Sequence, residues 1–324
     1  MIRRALTAVF VTALAGIASA NAQPYPSRPV TLVMPYQPGG GTDLMGRLLA
    51  QRLEPRLGQP VVLDYRPGGG SAIAATYVAR APGDGHTLLY ATSTTMAINV
   101  AVHKQLTYDP AKDLTPVALF ALAPFVLVIH PSLPVKTVGD LAAAAKTRPG
   151  GLTYGSNGAG GAAHLFAELL RTMLKIEMTH VPYKGNAPGL NDVLAGHIAM
   201  MFVDPTASIQ LVREGKLRAL GVTTAQRIPI APEIAPLADQ GLPGYDAATW
   251  HMIVAPASTP RTIVQRLNAE LRDIVGDPAV AAEWAKRGLL AQVSAPPPEL
   301  DAFIKSEIVR WGEVVRQAGA AGIE

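Results

Sequence analysis

An α/β protein of two lobes is what the sequence predicts, on three observations. The chain has 324 residues, enough for two domains at roughly 150 residues each. Apolar β-type runs alternate with helical spacings, and one construction of strand, Gly-rich turn and helix occurs in the first third and again near the middle. Two further apolar runs are placed to carry the chain out of one lobe and back.

Val30–Met34 reads as the first strand, and Pro35–Gly41 as a Pro- and Gly-rich turn in which Thr42 or Asp43 N-caps the first helix. Leu44, Leu48, Leu49, Leu53 and Leu57 recur at helical spacing, and Gly58 stops the helix. Val61–Asp64 is a second strand, Gly68-Gly69-Gly70-Ser71 a second turn and Ala72–Arg80 a second short helix. Thr87–Tyr90 is a third strand running into Ala91-Thr92-Ser93. Thr115–His130 is apolar, broken at Pro116 and Pro124, and too long for one ordinary strand, so it leaves the first lobe for the second. There Leu152–Tyr154 is a strand, Gly155–Gly161 a Gly-rich loop and Ala162–Leu174 a helix. Leu217–Thr224 leads back. Pro229, Pro232, Pro236 and Pro243 mark an irregular segment before Met252–Ala255. Helical spacing returns at Ile263, Leu267 and Leu271, then at Phe303, Ile304, Ile308 and Trp311. The expected division is a discontinuous lobe I, residues 23–124 plus 225–324, and lobe II, residues 125–224. No sequence repeat of 20–50 residues accompanies this repeated architecture.

A hydrophobic fraction of 49% excludes a disordered chain. The formal charge of +4 falls by two once Arg3 and Arg4 are set aside. That balance is too weak and too evenly spread for a nucleic-acid partner or an anionic membrane surface. Arg3 and Arg4 begin a segment built as a signal peptide: an apolar run Ala5–Ile17, then the small-x-small sites Ala18-Ser19-Ala20 and Ala20-Asn21-Ala22. Residues 1–22 are therefore expected to be removed. No later stretch offers about 18 apolar residues in a row, so the mature protein is expected free in the periplasm. With no cysteine there is no disulfide, thiolate metal site or thiol nucleophile.

A Gly-rich turn opening a helix presents unpaired N–H groups and the positive end of the helix dipole, and it favours anions. Gly39-Gly40-Gly41-Thr42-Asp43 and Ser156-Asn157-Gly158 would grip a small anion from opposite lobes, although such turns also serve as plain tight connections. A nucleotide reading uses the same residues: Gly158-Ala159-Gly160-Gly161-Ala162-Ala163 fits the looser G-x-G-x-x-A pattern, with Glu177 about 20 residues on. A serine hydrolase reading would use Ser156, but the first Gly of G-x-S-x-G is missing. No His pair at i, i+4 and no H-E-x-x-H supports a metal, and no cofactor is expected. His164, early in its helix, reads as bracing its loop or facing a ligand, and Lys184, between Tyr183 and Gly185, as a cation for a carboxylate.

At these residues the chain resembles a known family. Tyr25-Pro26-Ser27-Arg28-Pro29-Val30, Pro38-Gly39-Gly40-Gly41-Thr42-Asp43 and Ala81-Pro82-Gly83-Asp84-Gly85-His86-Thr87-Leu88 are similar to the tripartite tricarboxylate transporter receptors, the Bug-type periplasmic solute-binding proteins. Tyr154-Gly155-Ser156, His164-Leu165, Val181-Pro182-Tyr183-Lys184-Gly185 and Gly215-Lys216-Leu217-Arg218-Ala219-Leu220 continue the likeness in order. It implies the two-lobed periplasmic-binding-protein fold, a Venus flytrap of type II-like form, with the ligand cleft between lobes. By position it places Pro38, Gly39, Gly40, Gly41, Thr42, Asp43, Thr92 and Ser93 on one side of a small organic carboxylate. Ser156, Asn157, Gly158, His164, Lys184 and Asp204 face them. Gly161-Ala162 stands where hydroxyl residues are common in the family, and Asp204 one position after its usual acid.

The function so implied is a receptor that captures a small organic acid, works without catalysis as a monomer, and delivers the acid to a tripartite membrane permease. The alternatives are an exported dehydrogenase or serine hydrolase acting on such an acid, and a carboxylate-sensing binding protein. The mature chain is expected to begin at Gln23, which N-terminal sequencing of periplasmic protein checks; an intact Met1 on membrane-embedded protein would make the apolar segment an anchor.

Overall fold

The computed structural model describes residues 25–322 apart from Gly40 and Lys184. The expected signal segment and those two expected ligand residues lie outside the described residues. Strands β1 (Val30–Met34), β2 (Val61–Tyr65) and β3 (Thr87–Thr92) form where the apolar runs place them. β1 runs between the other two and parallel to both. Helix α1 (Gly41–Leu57) joins β1 to β2, and α2 (Ala72–Ala79) joins β2 to β3. α1 starts at Gly41, so the expected caps Thr42 and Asp43 fall inside its first turn. The reason is local: the Asp43 carboxylate reaches back to the Gly39 N–H at 2.8 Å instead of capping forward. β3 ends in a π-helical turn, Thr94–Ile98, leading into α3 (Asn99–Val102).

The long apolar run divides at Pro124 into β4 (Leu114–Ala123) and β5 (Val126–Ile129), which belong to different sheets. Pro116 does not break β4. It pairs with Val254 at a register shift, where its missing N–H is tolerated. After α4 (Val138–Lys146), the second sheet is completed by β6 (Leu152–Ser156), β7 (Met178–Pro182), β8 (Met200–Val203) and β9 (Arg218–Val222). Helices α5 (Ala162–Leu174), α6 (Asn186–Leu194) and α7 (Pro205–Arg213) follow β6, β7 and β8 in turn. The chain then returns to the first sheet with β10 (Thr249–Pro256), α8 (Arg261–Gly276), α9 (Pro278–Ala285), β11 (Leu290–Ala291) and α10 (Pro297–Gln317). The first sheet has the order β11-β4-β10-β3-β1-β2 and the second β7-β6-β8-β5-β9. Two lobes result.

Strand periodicity sorts the core into layers. Leu32, Met34, Leu88 and Tyr90 pack with Leu49 and Leu53 of α1 and Leu267 and Leu271 of α8. Their neighbours Val33, Leu89 and Ala91 face the opposite way, into a cluster with Val78, Trp250, Trp311, Leu127, Tyr154 and Phe166. That second layer runs through both lobes. The far face of the second sheet is covered separately, by Leu190 and Val193 of α6 and Ile209 of α7.

α10 holds the shared layer together. The Glu307 carboxylate is buried, and its Oε2 accepts from the Trp250 indole at 2.7 Å and the Trp311 indole at 2.8 Å. Trp311 in turn lies 5.7 Å from the Phe166 ring of α5, and Arg171 of α5 donates to the Gln317 carbonyl at 2.9 Å. Glu307→Ala leaves two buried indole N–H groups without an acceptor and is expected to cost about 2–5 kcal/mol. Glu307→Gln keeps one acceptor and should cost less. Urea unfolding followed by circular dichroism measures both; equal stability of wild type and Glu307→Ala would show that the indole pair does not hold α10.

Candidate functional site

Ligands of open α/β sheets bind beyond the C-terminal ends of the strands, where successive connections leave in opposite directions. In the first sheet that point lies between β1 and β3, because β2 is on one side of β1 and β3 on the other. The loops there are Tyr36–Gly39 and the Thr92-Ser93 turn. In the second sheet it lies between β6 and β8, for the same reason. Its loops are Ser156–Gly161 and the turn at Asp204. The lobes touch beside both second-lobe loops: a β-carbon on Gly160 would come within 3.2 Å of Val102, and one on Gly288 within 3.1 Å of Pro205. The expected residues that lie among those described thus sit at the strand switches of the two sheets. A cavity of about 770 Å3 over α2, lined by Ile73, Tyr77 and Leu106, lies at neither strand switch.

In the first lobe, Pro38, Gly39 and Gly41 are exposed, Thr42 is half-buried and Asp43 is buried. Asp43 accepts from Gly39 N–H at 2.8 Å, Arg47 Nε at 2.9 Å and Tyr65 Oη at 2.5 Å. These bonds, that from Tyr65 foremost, hold its carboxyl below the usual carboxylate range. The loop they close needs Gly39, whose φ of 95° suits a residue without a β-carbon. Thr92 Oγ1 meets Tyr36 Oη at 3.2 Å, and Ser93 Oγ is fully buried with no hydrogen-bond partner. Behind them, Ser71 adopts φ 83°, a left-handed conformation rare for serine, and its Oγ lies 2.8 Å from Thr95 Oγ1.

In the second lobe, Asn157 is exposed and Gly158 half-buried, whereas Ser156 and His164 are buried. Ser156 Oγ meets His180 Nε2 at 2.6 Å and takes the Gly158 N–H at 3.2 Å. His164 Nδ1 takes the Gly160 N–H at 3.0 Å. The Gly161 N–H is spent on the Gly158 carbonyl at 3.3 Å. Asp204, half-buried, accepts from Asn186 Nδ2 at 2.6 Å, and burial pushes its carboxyl up from the ordinary value. Asn186 Oδ1 is buried and has no partner.

The same geometry speaks against both enzyme readings. Glu177 precedes β7, and Leu152 pairs with Met178, so it lies at the opposite end of the parallel strands from the Gly158 loop. A ribose cannot reach both. Ser156 does have a histidine neighbour, yet its hydroxyl is inaccessible, and among the described residues no carboxylate hydrogen-bonds the His180 ring. Sequence reasoning missed Tyr36, Tyr65, Arg47, His180 and Asn186. The i, i+4 spacing of Asp43 and Arg47 is a signal that could have found the second of them, whereas Tyr65 and His180 depend on strand register.

The sequence profile of the tripartite tricarboxylate transporter family receptors matches residues 45–320. Protein BugT of Bordetella pertussis is 35% identical over 318 residues, which are 98% of this chain and 97% of BugT. Among solved structures, Rpa4515 of R. palustris, determined with adipate, is 40% identical with a TM-score of 0.79, covering 92% of this chain and 99% of its own. MatC of Rhodopseudomonas palustris, with bound malate, is 33% identical with a TM-score of 0.74, covering 90% of this chain and 100% of its own.

The three bonds to Asp43 give a direct test of the first-lobe loop. Asp43→Ala is expected to cost about 1–3 kcal/mol and to raise hydrogen exchange at the Gly39 amide at least tenfold. Unchanged exchange there would show that the loop holds its shape without the carboxylate.

Proposed function

The chain belongs to the tripartite tricarboxylate transporter family receptors, and from that premise we propose that it closes two lobes on a small organic carboxylate and passes it to a tripartite membrane permease. The observation that carries the proposal is the pair of strand switches, one in each sheet, each with a Gly-rich turn opening a helix. Lobe I spans residues 23–124 and 225–324, and lobe II residues 125–224. The protein acts as a periplasmic monomer after loss of residues 1–22, with no nucleic acid involved and no covalent step.

The described amides left to a carboxylate are those of Gly41 and Thr42 at the start of α1, since Gly39, Gly158, Gly160 and Gly161 already donate within the protein. Pro38 and Asn157 face the ligand, Thr92 and Ser93 stand behind them, and Lys184 supplies a cation. Asn186 Oδ1 is a buried acceptor without a donor, and the Asp204 carboxyl lies beside it. They favour an acid whose far end carries a hydroxyl, amide or protonated carboxyl. Closure follows from differential affinity: the ligand touches both lobes in the closed arrangement and one lobe in the open one.

Calorimetric titration with a panel of di- and hydroxycarboxylates that includes adipate and malate tests this, together with native mass spectrometry of the protein as purified. A binding acid should also compact the protein in solution scattering. If no acid binds, the carboxylate reading fails; if one is turned over, an enzyme is present. Should backbone amides supply the grip, Gly40→Val removes binding outright. Lys184→Ala then costs only about 1.5–3 kcal/mol, ten- to a hundredfold in affinity. The reverse order would rest recognition on side-chain charge.

A further inference from the structure

Directly beneath the second-lobe loop, three rings lie in parallel. His164 and His180 are 4.0 Å apart between centroids and tilted by 8°, and Tyr154 lies 4.9 Å from His180. Cross-strand register sets this up, since Tyr154 of β6 pairs with His180 of β7, while His164 comes from the first turn of α5. Each imidazole reaches one end of the loop, His180 at Ser156 and His164 at Gly160. We propose that His164 and His180 are positioning residues: their neutral, stacked rings hold residues 156–161 in the shape that faces a ligand, and acid releases it. The consequence for ligand affinity rests on the carboxylate reading; the hold on the loop does not.

The contacts set the proton position on His164 and are compatible with one on His180 Nε2. Because Gly160 donates to it, His164 Nδ1 carries no proton, and the ring's hydrogen is on Nε2. Ser156 has one hydroxyl hydrogen; directing it to the Gly158 carbonyl at 3.0 Å lets Oγ accept from both Gly158 N–H and His180 Nε2–H. Every contact is then satisfied. A second proton on His164 can enter only at Nδ1, where it meets the Gly160 N–H head on. The loop must then give way at Gly160, where the N–H and Nδ1–H would otherwise face each other 3.0 Å apart between their nitrogens.

The surroundings oppose protonation. Glu168 is the nearest acid, but Tyr154 Oη donates to its Oε1 at 2.5 Å and Arg171 Nε to its Oε2 at 2.7 Å. Among the described residues no other carboxylate contacts either ring. Burial, then the charge of Arg171, lowers His164 to about 4. Burial, then His164 itself, lowers His180 to about 4, against a small opposing pull from Glu168. Folded rings at about 4 stay neutral where unfolded rings, near 6.5, take up protons. Their contribution to stability is therefore complete above pH 6.5 and is lost as pH falls towards 4.

Proton NMR of the ring Cε1–H groups in the mature, ligand-free protein tests the proposal, with amide exchange at Gly160 measured across pH 7 to 3.5. Both rings should titrate near 4, and Gly160 protection should collapse in the same interval. His164→Leu should speed Gly160 exchange at least tenfold at pH 7. His164→Asn, which keeps an acceptor at the δ position but has no titrating ring, should restore protection and keep it at pH 4. Rings titrating near 6.5 would overturn the proposal, as would normal Gly160 protection in His164→Leu. Should that variant fail to fold, the wild-type titration and His164→Asn decide alone. Failure of adipate, malate and the other acids to bind would overturn the carboxylate reading and leave these ligand-free results as they stand.

Discussion

Two indoles share one buried carboxylate oxygen, and much of the molecule depends on it. Glu307 brings Trp250 of β10 and Trp311 of α10 to the same Oε2. β10 is the antiparallel strand that couples β3 to β4, so the bond fixes α10 against the middle of the first sheet. From there α10 supports the π-helical turn after β3 on one side and meets α5 of the second lobe on the other. The turn presenting Thr92 and Ser93, and the helix carrying His164, are both referred to one rod. A buried carboxylate is costly unless its acceptors are filled, and here Arg310 Nη1 also approaches Oε1 at 3.3 Å.

Much of the fold was legible because local rules and tertiary structure agree. Pro124 ends β4 at the crossing between sheets, and Gly58, with φ 69°, ends α1. Pro116 misled because sequence alone gives no hint of the register shift that accommodates it. The first helix was placed two or three residues late, since Thr42 and Asp43 look like caps from their positions alone, while the Asp43 carboxylate turns backwards to Gly39.

The site was legible in a different sense. The strand orders put the two glycine-rich turns at equivalent points of two sheets. What each side chain does was not legible. His180 stands 24 positions from Ser156 and comes to its hydroxyl only through the pairing of β6 with β7. Tyr65 reaches Asp43 through the pairing of β1 with β2. Residue type announces the capacity to hydrogen-bond, and register decides with whom.

A division of labour emerges from burial. The residues with the most conspicuous chemistry, Asp43, Ser156 and His164, are buried, and their polar atoms bond to the main chain of their own loops. Those left exposed are Pro38, Gly39, Gly41 and Asn157, which offer main chain, a ring and an amide. A catalytic site needs its reactive side chains at the surface of the crevice and its supports behind them. Here the order is reversed, with ionisable side chains as supports and backbone at the surface. Backbone groups bind without proton transfer, and their position is only as good as the side chains underneath. Changes to Asp43, Ser156 or His164 therefore act first on the shape of their own loops.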